Sequence, residues 1–231
     1  KQKKIVSSRL DSELLLSKIL NKNREEILIN LDQEICQKNF FEYKKLIIRR
    51  SQNEPVAYIL EKKEFWSKFF FVNRHTLIPR PETELMVEKL VKIFQDKKIS
   101  ILDMGTGSGC ILISLISELK NSKGVGIDIS NKALMIAKKN SEKYGLQSKI
   151  KFLNNSLDSK FYQKFDLITS NPPYIRSNEI KNLKEDIRRY EPLIALDGGN
   201  DGLDLIKKVI YKTKYILKVK GMLALEIGNE Q

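Results

Sequence analysis

The stretch "ILDMGTGSGC", Ile101 to Cys110, decides how the chain is read. A short apolar run carrying Asp103 meets glycines at 105, 107 and 109, and the apolar run "CILISLISEL" follows at once. A strand, a glycine turn and a helix in that order let backbone approach a ligand closely, and the free N–H groups of the helix start face it. A dinucleotide fingerprint needs Gly-x-Gly-x-x-Gly. Here the third glycine comes one residue early and Cys110 stands in its place, which speaks against a nicotinamide cofactor.

Downstream, the pattern alternates. "ISILDM", "GVGIDI", "KIKFL", "FDLITS" and "GMLALEIG" read as strands, and "CILISLISEL", "NKALMIAKKNSEKY" and "DGLDLIKKVIYKTKYIL" as helices. Alternation of this kind predicts an α/β fold with a mostly parallel sheet covered on both faces. Upstream, residues 1–61 read as helical. Asp11 stands as a cap before "SELLLSKIL", Asn23 with Glu26 and Asn39 with Glu42 have capping-box spacing, and Pro55 can open "PVAYIL". Such short amphipathic helices cannot stand alone, so a small bundle is expected. The aromatic and β-branched residues of 62–84 predict an extended or hairpin connector. Pro81 then starts a helix with Val87, Leu90, Val91 and Phe94 on one face, and 85–231 forms the sheet domain.

Bulk composition narrows the classes. The chain has 231 residues, 41% of them hydrophobic, room for one large domain or a small one plus a medium one. It contains no apolar run of membrane-spanning length, and "KQKKIVSSRLDSELL" has no signal core. Its start on Lys1 rather than Met reads as a trimmed chain. Cys36 and Cys110 have no metal or disulfide spacing and read as reduced, buried thiols of a cytoplasmic protein; no metal site is expected. The lone histidine, His75, reads as a surface or linker residue. With 42 basic and 29 acidic residues the net charge is +13, which admits an acidic protein partner or nucleic acid. The lysines are spread rather than striped, so nucleic acid is not favoured.

Two further places carry chemistry. Asp128 closes the second strand of the alternating part, where a carboxylate can accept from both ribose hydroxyls of a nucleoside. After the next strand, Asn155, Ser156 and Leu157 are placed to border its base. The stretch "TSNPPYIR", Thr169 to Arg176, follows the fourth strand, and ligands of open α/β sheets lie beyond the carboxyl ends of the strands. A flat, neutral NH2 group is handled by positioning more than by a strong base. The Asn171 side-chain oxygen can accept one of its hydrogens and the Pro172 carbonyl the other. Pro172 and Pro173 stiffen that carbonyl, and Tyr174 offers a flat face to a planar substrate.

With Asp103 before it, the glycine loop resembles that of class I methyltransferases, which bind S-adenosylmethionine. Nearly the whole chain resembles the HemK family, the glutamine methyltransferases of peptide-chain release factors. The marks are "EPVAYIL", "KEFW", "LIPRPETE", "ILDMGTGSGCILISL", "GIDIS", "SNPPYI", "YEPLIALDGGNDGL" and "LALEIGNEQ". The resemblance implies an N-terminal helical bundle that docks the release factor and a seven-stranded Rossmann-like methyltransferase domain. It implies methyl transfer to the side-chain nitrogen of the glutamine in a Gly-Gly-Gln loop, in aid of translation termination, with S-adenosylhomocysteine as product. Cofactor contacts would come from Gly105, Thr106, Gly107, Ser108, Gly109, Asp128 and Asn171, beside Ser156 and Leu157. The glutamine amide would be held by Asn171, Pro172, Pro173 and Tyr174, and Arg80, Glu82, Thr83, Glu191 and Pro192 would border the site.

The chain departs from the family at three places. Glu61 stands where glycine is usual, and Asn155–Ser156 replaces a small residue followed by Asp. It ends just after "EIGNEQ", so the last two strands and a helix are expected to be missing, as is part of the first helix, which would leave a sheet edge uncovered. Two alternatives stand beside the leading reading: an adenine exocyclic-amine methyltransferase acting on DNA or RNA, and a cofactor- or partner-binding fragment that does not turn over.

Overall fold

In the computed structural model, residues 5–229 and 231 are described; residues 1–4 of the opening stretch and Glu230 of "LALEIGNEQ" lie outside them. The N-terminal helices are α1 (Ser8–Leu20), α2 (Arg24–Ile29), α3 (Gln37–Ser51) and α4 (Val56–Leu60). The box at α2 forms as the spacing predicts: Glu26 N–H donates to Asn23 Oδ1 at 2.8 Å and Asn23 N–H to Glu26 Oε2 at 2.7 Å. Two other expected caps do not form. Asp11 lies inside α1, where its buried carboxylate accepts from Arg50 Nε at 2.6 Å and Ser7 Oγ at 2.9 Å; the ion pair draws it toward α3 and away from the helix start. Asn39 lies inside α3, which opens from Cys36, and that cysteine is exposed rather than buried.

Helix α4 starts at Pro55 and ends on Glu61, which is left-handed at φ 54°, ψ 30°. The glycine usual at this place in the resembling family would adopt that conformation freely, whereas a Cβ is crowded there. Next comes an antiparallel hairpin, β1 (Lys63–Phe65) and β2 (Lys68–Phe70). Its two loop residues, Trp66 and Ser67, both have positive φ, as a type I′ turn demands. Tertiary contacts hold this unusual turn: Trp66 N–H donates to Glu84, and the indole Nε1–H to Glu118 at 3.0 Å. Phe65 and Phe70 pack edge to face in the main core.

Helix α5 (Pro81–Phe94) has Pro81 in its first turn and buries Val87, Leu90 and Phe94. The sheet and its helices follow: β3 (Ser100–Met104), α6 (Cys110–Glu118), β4 (Lys123–Asp128), α7 (Asn131–Lys143), β5 (Ile150–Asn154), β6 (Phe165–Ser170), α8 (Glu185–Tyr190), α9 (Asp204–Ile216) and β7 (Leu217–Leu225). Helix α8 carries no clear apolar stripe and is absent from the sequence reading. Strand β7 begins at Leu217, ahead of the expected Gly221, because Leu217 pairs with Phe165 and Lys218 Nζ reaches Asp166 at 2.8 Å.

The strand order is β5-β4-β3-β6-β7, and every pairing is parallel. Strand alternation splits the apolar residues between two cores. Ile101 and Leu167 pack with α5, α6 and the hairpin, while Leu102, Met104 and Ile168 pack with Val209 and Ile216 of α9. The chain moves outward from β3 through β4 to β5, then returns to the other side of β3 with β6. This reversal opens a crevice at the carboxyl ends of β3 and β6. Buried Asn140 of α7 ties the connector to the loop after β3: its amide exchanges hydrogen bonds with Phe71 N–H and C=O and donates to the Ser108 carbonyl at 2.9 Å.

Glu61→Gly is expected to raise unfolding stability by roughly 0.5–1 kcal/mol, the relief of left-handed crowding less the added chain entropy of glycine. A urea titration read by far-UV circular dichroism checks it; a lower midpoint would count against strain at this cap.

Candidate active site

At the end of β3 the backbone turns through Gly105, Thr106, Gly107, Ser108 and Gly109. The N–H groups of Gly105 and Thr106 both donate to the Ile127 carbonyl at 2.9 Å, which pins the loop to β4. Gly109, at φ +79°, is the N-cap of α6 and packs against α7; a Cβ there would stand 3.0 Å from Ile113 and 3.2 Å from Ala137. At Gly105 nothing lies within 4 Å of where a Cβ would stand, so the loop presents bare backbone to open space.

The register of β3 and β6 puts Asp103 opposite Thr169 and Met104 opposite Ser170. Asp103 is buried, and its carboxylate accepts from Thr106 Oγ1 at 2.6 Å and Thr169 Oγ1 at 2.8 Å. Ser170 Oγ donates to the Met104 carbonyl at 2.7 Å. These bonds lock the glycine loop to the strand that delivers "NPPY". Burial pushes the Asp103 carboxyl up to about 6 against the pull of the two hydroxyls, and the nearby Asp128 charge adds to the rise.

Asp128 ends β4. Gly107 N–H donates to one carboxylate oxygen and Ser130 N–H to the other, both at 2.9 Å. Burial raises its carboxyl above the ordinary range, opposed by these backbone donors. Each oxygen keeps a further lone pair for a ligand hydroxyl. Cys110, at the base of the loop, is pushed up to about 12 by burial and remains a thiol.

A cavity of about 800 Å³ opens between these elements. Of the sequence-predicted residues, Arg80, Thr83, Gly105 to Ser108, Asp128, Leu157, Asn171 to Pro173 and Pro192 line it, as does Asn155. Ser156, Gly109, Glu82, Glu191 and Tyr174 do not. Tyr174 lines a smaller cavity of about 170 Å³ that shares Arg80, Asn171 and Pro172 with the larger one. Glu191 is buried as a brace, accepting from Arg80 Nη2 at 2.7 Å and Ile78 N–H at 3.1 Å. Its carboxyl is raised by burial, with Arg80 pulling the other way. His75, read from sequence as a surface or linker residue, lines the large cavity; burial, then Lys132 and Arg74, hold its imidazole below its ordinary value.

The backbone of "NPPYIR" is held by "ALDGG". Ile175 N–H donates to the Leu196 carbonyl, Gly198 N–H to the Ile175 carbonyl, and Ser177 N–H to the Gly199 carbonyl. Gly198 permits this approach, because a Cβ there would sit 2.8 Å from the Pro173 oxygen and from Tyr174 Cα. Sequence reading missed this clamp and the Thr106–Asp103–Thr169 link. The paired glycines of "LDGGND" were the available signal for the first. The second depends on strand register.

The family described as PrmC N-terminal domain matches residues 1–60, and the methyltransferase small domain matches 81–188. A release factor glutamine methyltransferase of Buchnera aphidicola subsp. Schizaphis graminum is 43% identical over 223 residues, 96% of this chain and 80% of that protein. A bifunctional methyltransferase of Rickettsia felis is 38% identical over 256 residues, 98% of this chain but 49% of that protein. The chain thus spans about half the length of the bifunctional relatives it matches. The crystal structure of a ribosomal protein L11 methylase from Lactobacillus delbrueckii subsp. bulgaricus aligns with TM-score 0.46 and 19% identity, over 64% of this chain and 62% of that one. The matched families place the chain, with its parallel sheet, in the class of S-adenosylmethionine-dependent methyltransferases. More narrowly, the chain belongs to the release factor glutamine methyltransferase family, HemK/PrmC.

Between the ordinary carboxylate value of 3.8 and about 6, folded Asp103 keeps a proton that the unfolded chain has released. Its contribution to stability is therefore present at the acidic end of that window and is lost as pH rises to about 6. Asp103→Asn, which can still bond both threonines, is expected to lack this slope. Melting temperatures of both proteins across that window check it; parallel profiles would remove Asp103 as the source.

Proposed function

We propose that this chain transfers a methyl group from S-adenosylmethionine to the side-chain amide nitrogen of the glutamine in the Gly-Gly-Gln loop of a peptide-chain release factor, in the cytoplasm. The observation that carries the proposal is the meeting of Asn171 and Pro172 with Gly105 and Asp128 on one cavity. That cavity falls within the size range of small-ligand sites, roughly 300–1,000 Å³. The bare backbone at Gly105 and the spare lone pairs of Asp128 fit a nucleoside with vicinal hydroxyls. Asp128 would take the ribose hydroxyls, Asn155 and Leu157 would border the adenine beside Ser156, and the loop from Gly105 to Gly109 would face the methionine part.

Bound there, S-adenosylmethionine would supply an electrophilic methyl on sulfonium and leave as S-adenosylhomocysteine. Asn171 Oδ1 and the Pro172 carbonyl would each accept one hydrogen of the glutamine NH2, directing its nitrogen lone pair at the methyl. Holding both hydrogens would favour pyramidal nitrogen as the N–C bond forms and the methyl–sulfur bond breaks, and the surplus proton would leave the nitrogen for water along one of the two acceptor hydrogen bonds. Preorganised acceptors and near-attack geometry account for most of such a rate. The smaller cavity beside Tyr174 would seat the amide, with Pro173 stiffening its wall and Arg80, Glu82, Thr83, Glu191 and Pro192 shaping the border. Neutral Tyr174 suits a packing role: burial raises its hydroxyl, and Glu226 adds to the effect.

The N-terminal helices would dock the protein substrate. Leu31, Phe40, Phe41 and Ile48 are exposed there and offer an apolar surface to a partner. Two free thiols suit a reducing compartment. Among the described residues no helix is long and apolar enough to cross a membrane, and no cluster could hold a metal.

Methyl-labelled S-adenosylmethionine, incubated with release factor or with bulk nucleic acid, tests the substrate. Label in the release factor that disappears when its loop glutamine is changed supports the proposal; label in nucleic acid points to adenine amine instead. Asn171→Ala is expected to keep cofactor affinity within about tenfold and to lower turnover about a hundredfold or more, the scale of one preorganised contact. Isothermal titration with single-turnover rates separates the two effects, and unchanged turnover would end the role given to Asn171.

A further inference from the structure

Glu226 follows the last residue of β7 and lines neither of the two cavities. Its backbone N–H donates to the Ser170 carbonyl at 3.0 Å, so it stands beside the residue that precedes Asn171. Its carboxylate Oε2 accepts from Thr83 Oγ1 at 2.6 Å. Thr83 Oγ1 in turn accepts from Asn171 Nδ2 at 3.4 Å. Three separate elements thus meet at one hydroxyl: the end of β7, the first turn of α5 and the segment after β6.

The logic of the chain follows from counting hydrogens. A threonine hydroxyl has one hydrogen and two lone pairs. The carboxylate is the stronger acceptor and takes that hydrogen in a short, charge-assisted bond. Thr83 then has only lone pairs for Asn171, so the NH2 end of the asparagine amide must face it. The reverse orientation would set Asn171 Oδ1 against an oxygen with no hydrogen to share. Thr83 is 3% exposed, which leaves little room for water to relieve such a mismatch.

We infer that Glu226, acting through Thr83, is a positioning residue that holds the Asn171 amide in one orientation, with Oδ1 turned away from Thr83 and open to a substrate N–H. The inference rests on the role proposed above for Asn171 and adds what directs it. The same carboxylate adds its charge to the rise of the Tyr174 hydroxyl, which places it near a second "NPPY" residue. Glu226 itself need not touch the substrate.

The full chain carrying Thr83→Val, Thr83→Ser, Glu226→Ala or Glu226→Gln tests the inference, with Asn171→Ala as reference. Thr83→Val keeps the shape and removes the hydroxyl; it and Glu226→Ala are expected to lower single-turnover methylation about thirtyfold while S-adenosylmethionine affinity stays within about threefold. Thr83→Ser and Glu226→Gln preserve the donor and an acceptor, and are expected to recover to within about threefold of the parent rate. Full activity in Thr83→Val and Glu226→Ala, with Asn171→Ala still impaired, would overturn the positioning role and leave the methylation reading standing. A parent protein that labels no release factor would defeat that reading instead. The Asn171 side-chain amide then decides by NMR: its two Nδ2 protons are expected to lose dispersion and exchange protection in Thr83→Val and Glu226→Ala, and unchanged resonances would overturn the inference.

Discussion

The site depends on one buried carboxylate. Asp103 sits on β3 at the level of Thr169 on β6, and the parallel register places both side chains on one face. A charge in that position is costly without partners. Its two partners come from different places: Thr106 from the glycine loop and Thr169 from the strand leading to "NPPY". A single acid thus couples the part that would present the methyl to the part that would present the nitrogen. Such a carboxylate contributes little net stability, because desolvation offsets its hydrogen bonds. What it confers is relative position, which methyl transfer between two bound groups requires.

A second layer of constraint surrounds "NPPY". Two prolines stiffen it from within, and the Leu196–Gly199 segment hydrogen-bonds it from outside. Gly198 is small enough to let the two backbones touch. Glu191, four residues before Ala195, braces Arg80 and the Ile78 backbone on the opposite wall. Motifs distant in sequence are thus neighbours because each supplies a backbone or side-chain group that another leaves unsatisfied. Asn140 does the same between the connector and the loop, spending one buried amide on Phe71 and Ser108.

Much of this was legible in one dimension where local rules act alone. The Asn23–Glu26 box, Pro81 in the first turn of α5 and the β–loop–α signature at Gly105 each follow from chemistry within a few residues. Errors arose where a distant partner outbid the local rule. Asp11 has the composition of a cap, yet Arg50, far along the chain, takes its carboxylate. Trp66–Ser67 carries no turn signature, yet Glu84 and Glu118 hold a type I′ turn there. His75 looked incidental because nothing local points it toward the cavity it lines.

The amino-acid order by itself determined the parallel α/β class, the place of the glycine loop, the acid that closes β4 and the rigid "NPPY" turn. Those follow from periodicity, from the backbone freedom of glycine and from the stiffness of proline, all properties of neighbouring residues. Tertiary structure alone decided which acid faces which hydroxyl. Asp103 turned inward to two threonines, Glu191 became a brace, and Glu226 came to stand against Thr83 and Asn171. Strand register and the docking of α5 set those distances, and both arise from packing between segments that no local pattern connects.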